Sequence, residues 1–215
     1  MKLFLDSANL VHIREASATG LLEGVNLDPA LVAKEGRGME EIVREVAHSV
    51  DGPVFVDAVS QGFEELVEEG RTIARLHRSV VVKVPLTVDG IKAIRRLAHD
   101  GVKTNGTHCF SPVQALLASK AGAAYVTPFI GRLDELGENG ADTLEKILLV
   151  YNNYDLPTQV MVAGVKSPVH VLEAALLGSD CCSMPSAVFR QILNHPLTDA
   201  GVKASLEGWR KIPKN

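Results

Sequence analysis

Short apolar runs and amphipathic stretches alternate along this chain without interruption, and that alternation restricts the available folds more than any other feature. The runs are Leu3–Leu5, a segment around Val25, Val54–Val59, Val80–Val84, Gly101–Thr107, Ala124–Thr127, Gln159–Val162 and a segment around Cys181–Cys182. Between them, apolar residues return at helical spacing, as in Leu66, Val67, Ile73, Ala74 and Leu76, and again in Ile91, Ile94, Leu97 and Ala98. The run Ser79-Val80-Val81-Val82-Lys83-Val84 lacks the polar–apolar alternation of a half-exposed strand and reads as a strand covered on both faces, as in a parallel sheet.

Eight strand–helix units in 215 residues predict an α/β protein, a single (β/α)8 TIM barrel over residues 1–215. An additional C-terminal helix is expected at about residues 197–210, with the single tryptophan, Trp209, in need of cover. Gly20, Gly52, Gly101, Gly122 and Gly178 fall between helical pattern and next strand, where C-terminal helix caps belong. A doubly wound sheet fits less well, because its first strand is usually followed by a glycine-rich phosphate loop, whereas here Asp6-Ser7-Ala8-Asn9 follows.

Lys and Arg total 22 against 26 Asp and Glu, a net charge of −4, which argues against a nucleic-acid or anionic-membrane partner. The cysteines Cys109, Cys181 and Cys182 form neither a disulfide framework nor a usual zinc spacing. The opening residues are apolar for only three positions before Asp6, too short for a signal-peptide core, and the expected compartment is the cytoplasm.

In such a barrel the C-terminal ends of the strands line the active site. Polar residues at those positions are Asp6, Asn26, Asp28, Asp57, Lys83, Asn105, Thr107, Arg132 and Lys166. Lys83 interrupts four valines. A lysine held between apolar layers is costly to keep charged, and a neutral amine there is the nucleophile that condenses with a ketone or aldehyde. The bland alternative is a lysine that snorkels or pairs for packing. Asp6 and Asp57 suit proton movement or hydroxyl orientation, although Asp6 could equally cap the next helix. Thr107 could hold a proton-shuttling water or simply favour a strand. His108 and Cys109 read as pocket wall. Arg132 suits a phosphate, with a surface pair to Asp134 as the plainer reading.

The combination of Phe4–Asn9, Val81–Pro85, Phe110–Leu117, Pro128–Asp134, Val171–Ala175 and His195–Asp199 resembles the transaldolase family, in particular its small subfamily that includes the fructose-6-phosphate aldolases. The resemblance implies a (β/α)8 barrel, a Schiff-base lysine on the fourth strand at Lys83, and catalytic roles for Asp6, Asp57 and Thr107. It implies substrate contacts from Asn26, Asp28, Asn105, Phe129, Arg132, Gly164 and Lys166. A ketose or ketose phosphate would lose or transfer a dihydroxyacetone unit, with the protonated imine as electron sink, so that neither metal nor cofactor is expected. A homo-oligomer, pentamer or decamer, is implied as well, with the C-terminal helix reaching a neighbour.

The sequence departs from the family pattern on one rim. Gly24-Val25-Asn26-Leu27-Asp28-Pro29 replaces Gly-Val-Thr-Thr-Asn-Pro, Asp57 replaces a longer Glu or Gln, and Gly164 stands where a serine is usual. Gly106 and His108 replace apolar residues around Thr107. Retained Schiff-base chemistry with altered substrate selection is therefore expected. The alternatives are a related aldolase on a non-phosphorylated or unusual sugar, and a catalytically silent sugar-binding or assembly barrel.

Overall fold

The computed structural model describes residues 1–213. Its strands are β1 (Lys2–Asp6), β2 (Leu22–Asn26), β3 (Val54–Asp57), β4 (Val80–Pro85), β5 (Thr104–Cys109), β6 (Tyr125–Pro128), β7 (Gln159–Val162) and β8 (Cys181–Pro185). The helices are α1 (Leu10–Ser17), α2 (Pro29–Lys34), α3 (Met39–Ser49), α4 (Phe63–Ala74), α5 (Val88–His99), α6 (Pro112–Ala121), α7 (Ile130–Glu135), α8 (Gly140–Asn153), α9 (Pro168–Leu177), α10 (Ser186–Leu193) and α11 (Pro196–Trp209). All strand pairs are parallel and the sheet closes in chain order, β1 pairing with both β2 and β8. This is the (β/α)8 barrel expected from the alternating pattern, with a further C-terminal helix.

The valine run of β4 shows why the barrel needs strands apolar on both sides. Val80, Val82 and Val84 join the large core shared with Leu66 of α4 and Leu97 of α5. Val81 belongs to a separate cluster with Phe4, Phe55, Met161 and Cys181, on the opposite face of the strands. Since successive strand residues point to opposite faces, that second cluster fills the interior of the barrel. Phe55 packs at centroid distances of 5.4 Å from Phe4 and 5.0 Å from Tyr125. Two residues further along the same strands, the inward positions become polar: Asp6, Asp57, Lys83, Thr127 and Ser183. The barrel thus has an apolar floor and a polar layer above it, toward the C-terminal strand ends.

Helix ends follow local chemistry. Asn9, not Asp6, caps α1 by accepting from the Val11 and His12 amides. Gly122 and Gly178 close α6 and α9 in the left-handed conformation, at φ of 93° and 85°. Gly52 does otherwise: α3 ends at Val50 in extended backbone, and a Cβ on Gly52 would lie 1.8 Å from the Glu23 carbonyl oxygen. Its missing side chain serves the close passage beside β2 and not a helix cap. No residue of α11 is buried, and Trp209 is 70% exposed. Among the described residues no helix is long and apolar enough to cross a membrane.

Candidate active site

Lys83 lies on β4 in register with Asp57 on β3 and Asn105 on β5. Its side chain is 3% exposed, and Nζ donates to Asp57 Oδ2 at 2.6 Å and to the Leu27 carbonyl at 3.3 Å. Burial pushes the Asp57 carboxyl above its ordinary value even with this cation beside it; Lys83 pulls the other way, and the negative charge of Asp28 adds a smaller upward push. Lys83 and Asp57 both open onto a cleft of about 1210 Å³ at the C-terminal strand ends. A substrate can therefore approach the pair from one side while the protein encloses the other.

Beside them, Asp6 Oδ1 accepts hydrogen bonds from Asn26 Nδ2 at 2.8 Å and from Ser183 Oγ, joining β1, β2 and β8. Burial raises the Asp6 carboxyl above 3.8, opposed by these two hydrogen bonds and by Lys83. Asn105 and Thr127 exchange hydrogen bonds at 2.7 and 2.9 Å. Thr107 Oγ1 is buried, makes no hydrogen bond within the protein, and its residue borders the cleft. Its bonding capacity is available to a water or a substrate hydroxyl.

Thr107 stays in register with Pro85 of β4, and an irregularity surrounds it on the β6 side. The β5–β6 register shifts between Gly106 and Cys109, and His108 takes φ of 55°, a left-handed conformation uncommon for a non-glycine residue. The His108 ring stacks on Phe129 at 5.7 Å and 18°. Asp28 borders the cleft too, while its Oδ1 caps α2 by accepting from the Ala30 amide at 2.7 Å.

At the rim, Arg132 lies on the short helix α7 and Lys166 on the loop after β7. Neither is free. Lys166 Nζ contacts Glu135 Oε1, and Arg132 reaches Glu135 Oε2 at 3.3 Å. The expected surface partner, Asp134, is engaged elsewhere, accepting from the Gly140 amide and lying 3.4 Å from His170 Nε2. Gly164 packs against α7, at φ of 71°.

Of the residues singled out in the sequence, Lys83, Asp57, Thr107, Asp28, Phe129 and Arg132 border the cleft. Asp6, Asn26 and Asn105 lie in the polar layer without bordering it, and Gly164 and Lys166 stand behind Arg132 and Glu135. Sequence reasoning missed Ser183, Thr127, Glu135 and the Leu27 carbonyl. Ser183 and Thr127 carried a faint signal, as polar residues in inward phase with Cys181 and Tyr125. All three cysteines are free, and burial pushes their thiols up to about 11 for Cys109 and about 12 for Cys181 and Cys182, which argues against nucleophilic use. Among the described residues, no group of three or more His, Cys, Asp or Glu could hold a metal ion.

A family model described as Transaldolase/Fructose-6-phosphate aldolase matches residues 3–212. The chain belongs to this family. Among its relatives, a probable transaldolase of Myxococcus xanthus is 51% identical over 215 residues, covering 100% of this chain and 96% of that one. Probable transaldolases of Anaeromyxobacter sp. strain K and Aquifex aeolicus are 49% and 47% identical, each over 100% of this chain and 99% of theirs. Likeness to the structure of thiamine phosphate pyrophosphorylase from Pyrococcus furiosus, at a TM-score of 0.57, 19% identity and 87% coverage of each chain, concerns the barrel alone. Membership in the transaldolase/fructose-6-phosphate aldolase family makes this an aldolase-type enzyme, and it draws attention to Lys83, among the described residues the one buried lysine that borders the cleft.

Proposed function

We propose that the protein is a class I aldol enzyme in which Lys83 forms a Schiff base with a ketose or ketose phosphate and a dihydroxyacetone unit is released or transferred. The observation that carries this reading is the buried Lys83 amine at the foot of an open cleft, 2.6 Å from an Asp57 carboxylate whose affinity for a proton is raised by burial. Asp57 takes the proton from the ammonium, freeing a lone pair to add to the keto carbon. The carbinolamine loses its hydroxyl as water, with a proton supplied through Thr107 and Asp57, and becomes a protonated imine. Asp57, returned to its carboxylate form by that step, takes the proton of the substrate hydroxyl on the carbon β to the imine carbon, and the bond between the α and β carbons breaks. An aldehyde departs, and the electron pair moves into the iminium as an enamine. A second aldehyde captures that enamine in transfer; protonation followed by hydrolysis returns the free amine in cleavage. Asp6, held by Asn26 and Ser183 in the polar layer below the cleft, acts on the reacting centre through its charge near Lys83. Asn105 and Phe129 shape the pocket floor and wall.

This reading needs no metal or cofactor for its electron flow, since the iminium accepts the electrons. It assigns Arg132, Lys166 and the Gly164 backbone to the anionic end of the substrate, and Asn26 and Asp28 to its hydroxyls. The extra carboxylate of Asp28 favours a polyol-rich substrate and disfavours a second acidic group at that end. We assign the chain to a homo-oligomer, pentamer or decamer, supported by the uncovered apolar side chains of α11. A cytoplasmic location is in line with three cysteine thiols that stay free.

The test is borohydride trapping. Wild-type protein with dihydroxyacetone or fructose 6-phosphate should gain the mass of the reduced adduct on Lys83. Lys83→Met should gain none and lose activity on the order of 10⁴-fold or more while staying folded. A wild-type protein that resists trapping across a broad ketose panel, or a Lys83→Met variant that remains active, overturns the reading in favour of a silent barrel.

A further inference from the structure

The two cations assigned to the anionic end of the substrate are both occupied by one carboxylate. Glu135 offers Oε1 to Lys166 and Oε2 to Arg132, and these attractions, the Lys166 hydrogen bond first, hold its carboxyl below the ordinary carboxylate value. Arg132 and Glu135 stand three apart on α7 and so share a face. Lys166 joins them because Gly131 lets the loop after β7 close in. A Cβ at Gly131 would lie 2.0 Å from the Gly164 carbonyl oxygen and 3.4 Å from Lys166 Cε.

The helix itself does not explain this carboxylate. Glu135 is the last residue of α7, where an acidic side chain meets the negative end of the helix dipole unfavourably. Its side chain is 45% exposed and caps nothing. Yet Glu135, Arg132 and the neighbouring Leu136 border the same cleft as Lys83.

We propose that Glu135 is a specificity-determining residue, an internal carboxylate that pairs with Arg132 and Lys166 and competes for them with the phosphate of a sugar phosphate. The proposal deepens the reading of the cleft as a ketose site and rests on it for the identity of the ligand. A phosphate dianion must share the two cations with Glu135 and faces that carboxylate at close range. A ketose without phosphate meets neither obstacle. Exposed pairs of this kind are worth a factor of a few in an equilibrium, so the effect is a bias and not an exclusion.

Two measurements on the full-length protein decide it. Titration with inorganic phosphate by calorimetry should give a Kd roughly three- to tenfold lower for Glu135→Gln than for wild type, with the gain shrinking as salt rises. The ratio of borohydride-trapping rates for fructose 6-phosphate over fructose should rise by a similar factor. Glu135→Ala, measured in parallel, should shift both readouts in the same direction and guards against a folding defect peculiar to one substitution. Unchanged or weaker phosphate binding in these variants overturns the proposal, the weaker result showing that Glu135 positions the cations for phosphate. If wild type cannot be trapped at all, the Schiff-base reading falls, while the phosphate titration still decides the role of Glu135.

Discussion

Asp6 sits where a carboxylate is hard to keep ionised. It is half-buried, and its two hydrogen-bond donors, Asn26 and Ser183, only partly offset the loss of water, so its carboxyl stays above 3.8. The sign of the effect on stability follows. Between the ordinary and the raised value the folded protein binds more protons than the unfolded chain, so this group's stabilising contribution is complete below 3.8 and is lost as pH rises through the raised value. Asp6→Asn keeps an acceptor for Asn26 and Ser183 and removes the ionisable carboxyl. Melting temperatures followed from pH about 4 to 8 should fall more steeply for wild type than for Asp6→Asn. At neutral pH the variant should match or exceed wild type in stability while losing activity, and equal slopes would count against the assignment.

At the scale of elements, the packing of α7 against the loop after β7 depends on Gly131. Gly131→Ala should cost roughly 1–3 kcal/mol by urea denaturation, because its methyl group would overlap the Gly164 carbonyl. It should also weaken phosphate binding in the same titration by displacing Lys166. The strands were legible because a barrel strand is buried on both faces, and β4 announces this with its valines. Their ends were less so: β5 runs Thr104–Cys109, displaced toward the C-terminus from the expected Gly101–Thr107, and β3 stops at Asp57, two residues short of the expected Val59. The positions of Lys83 and Asp57 followed from strand ends, but the ion pair between them depends on register across two strands, which a linear reading does not contain. Glu135 was missed for a local reason. Residues 130–135 are helical, so Arg132 faces the residue three along and not Asp134 two along. Gly52 shows the converse: a glycine in a capping position is needed for the backbone that passes it.

For the whole molecule, α11 is the element out of keeping with a lone barrel. Leu197, Val202, Leu206 and Trp209 are 76%, 64%, 47% and 70% exposed on a helix with nothing buried. If subunits cover this helix, as proposed, light scattering should give a multiple of 23.1 kDa, pentameric or decameric. Emission from Trp209 should then be blue-shifted relative to free indole, and Trp209→Ala should weaken the assembly. A monomer with fully solvated emission would remove the oligomer from the account. The seam of the barrel has a separate consequence. Ser183 and Asp6 stand 177 positions apart and meet only where the last strand joins the first. A nascent chain leaving the ribosome therefore carries Lys83, the proposed nucleophile, long before the carboxylate on β1 has been seated. On the proposed mechanism, reactive competence arrives late in synthesis, once β8 closes onto β1.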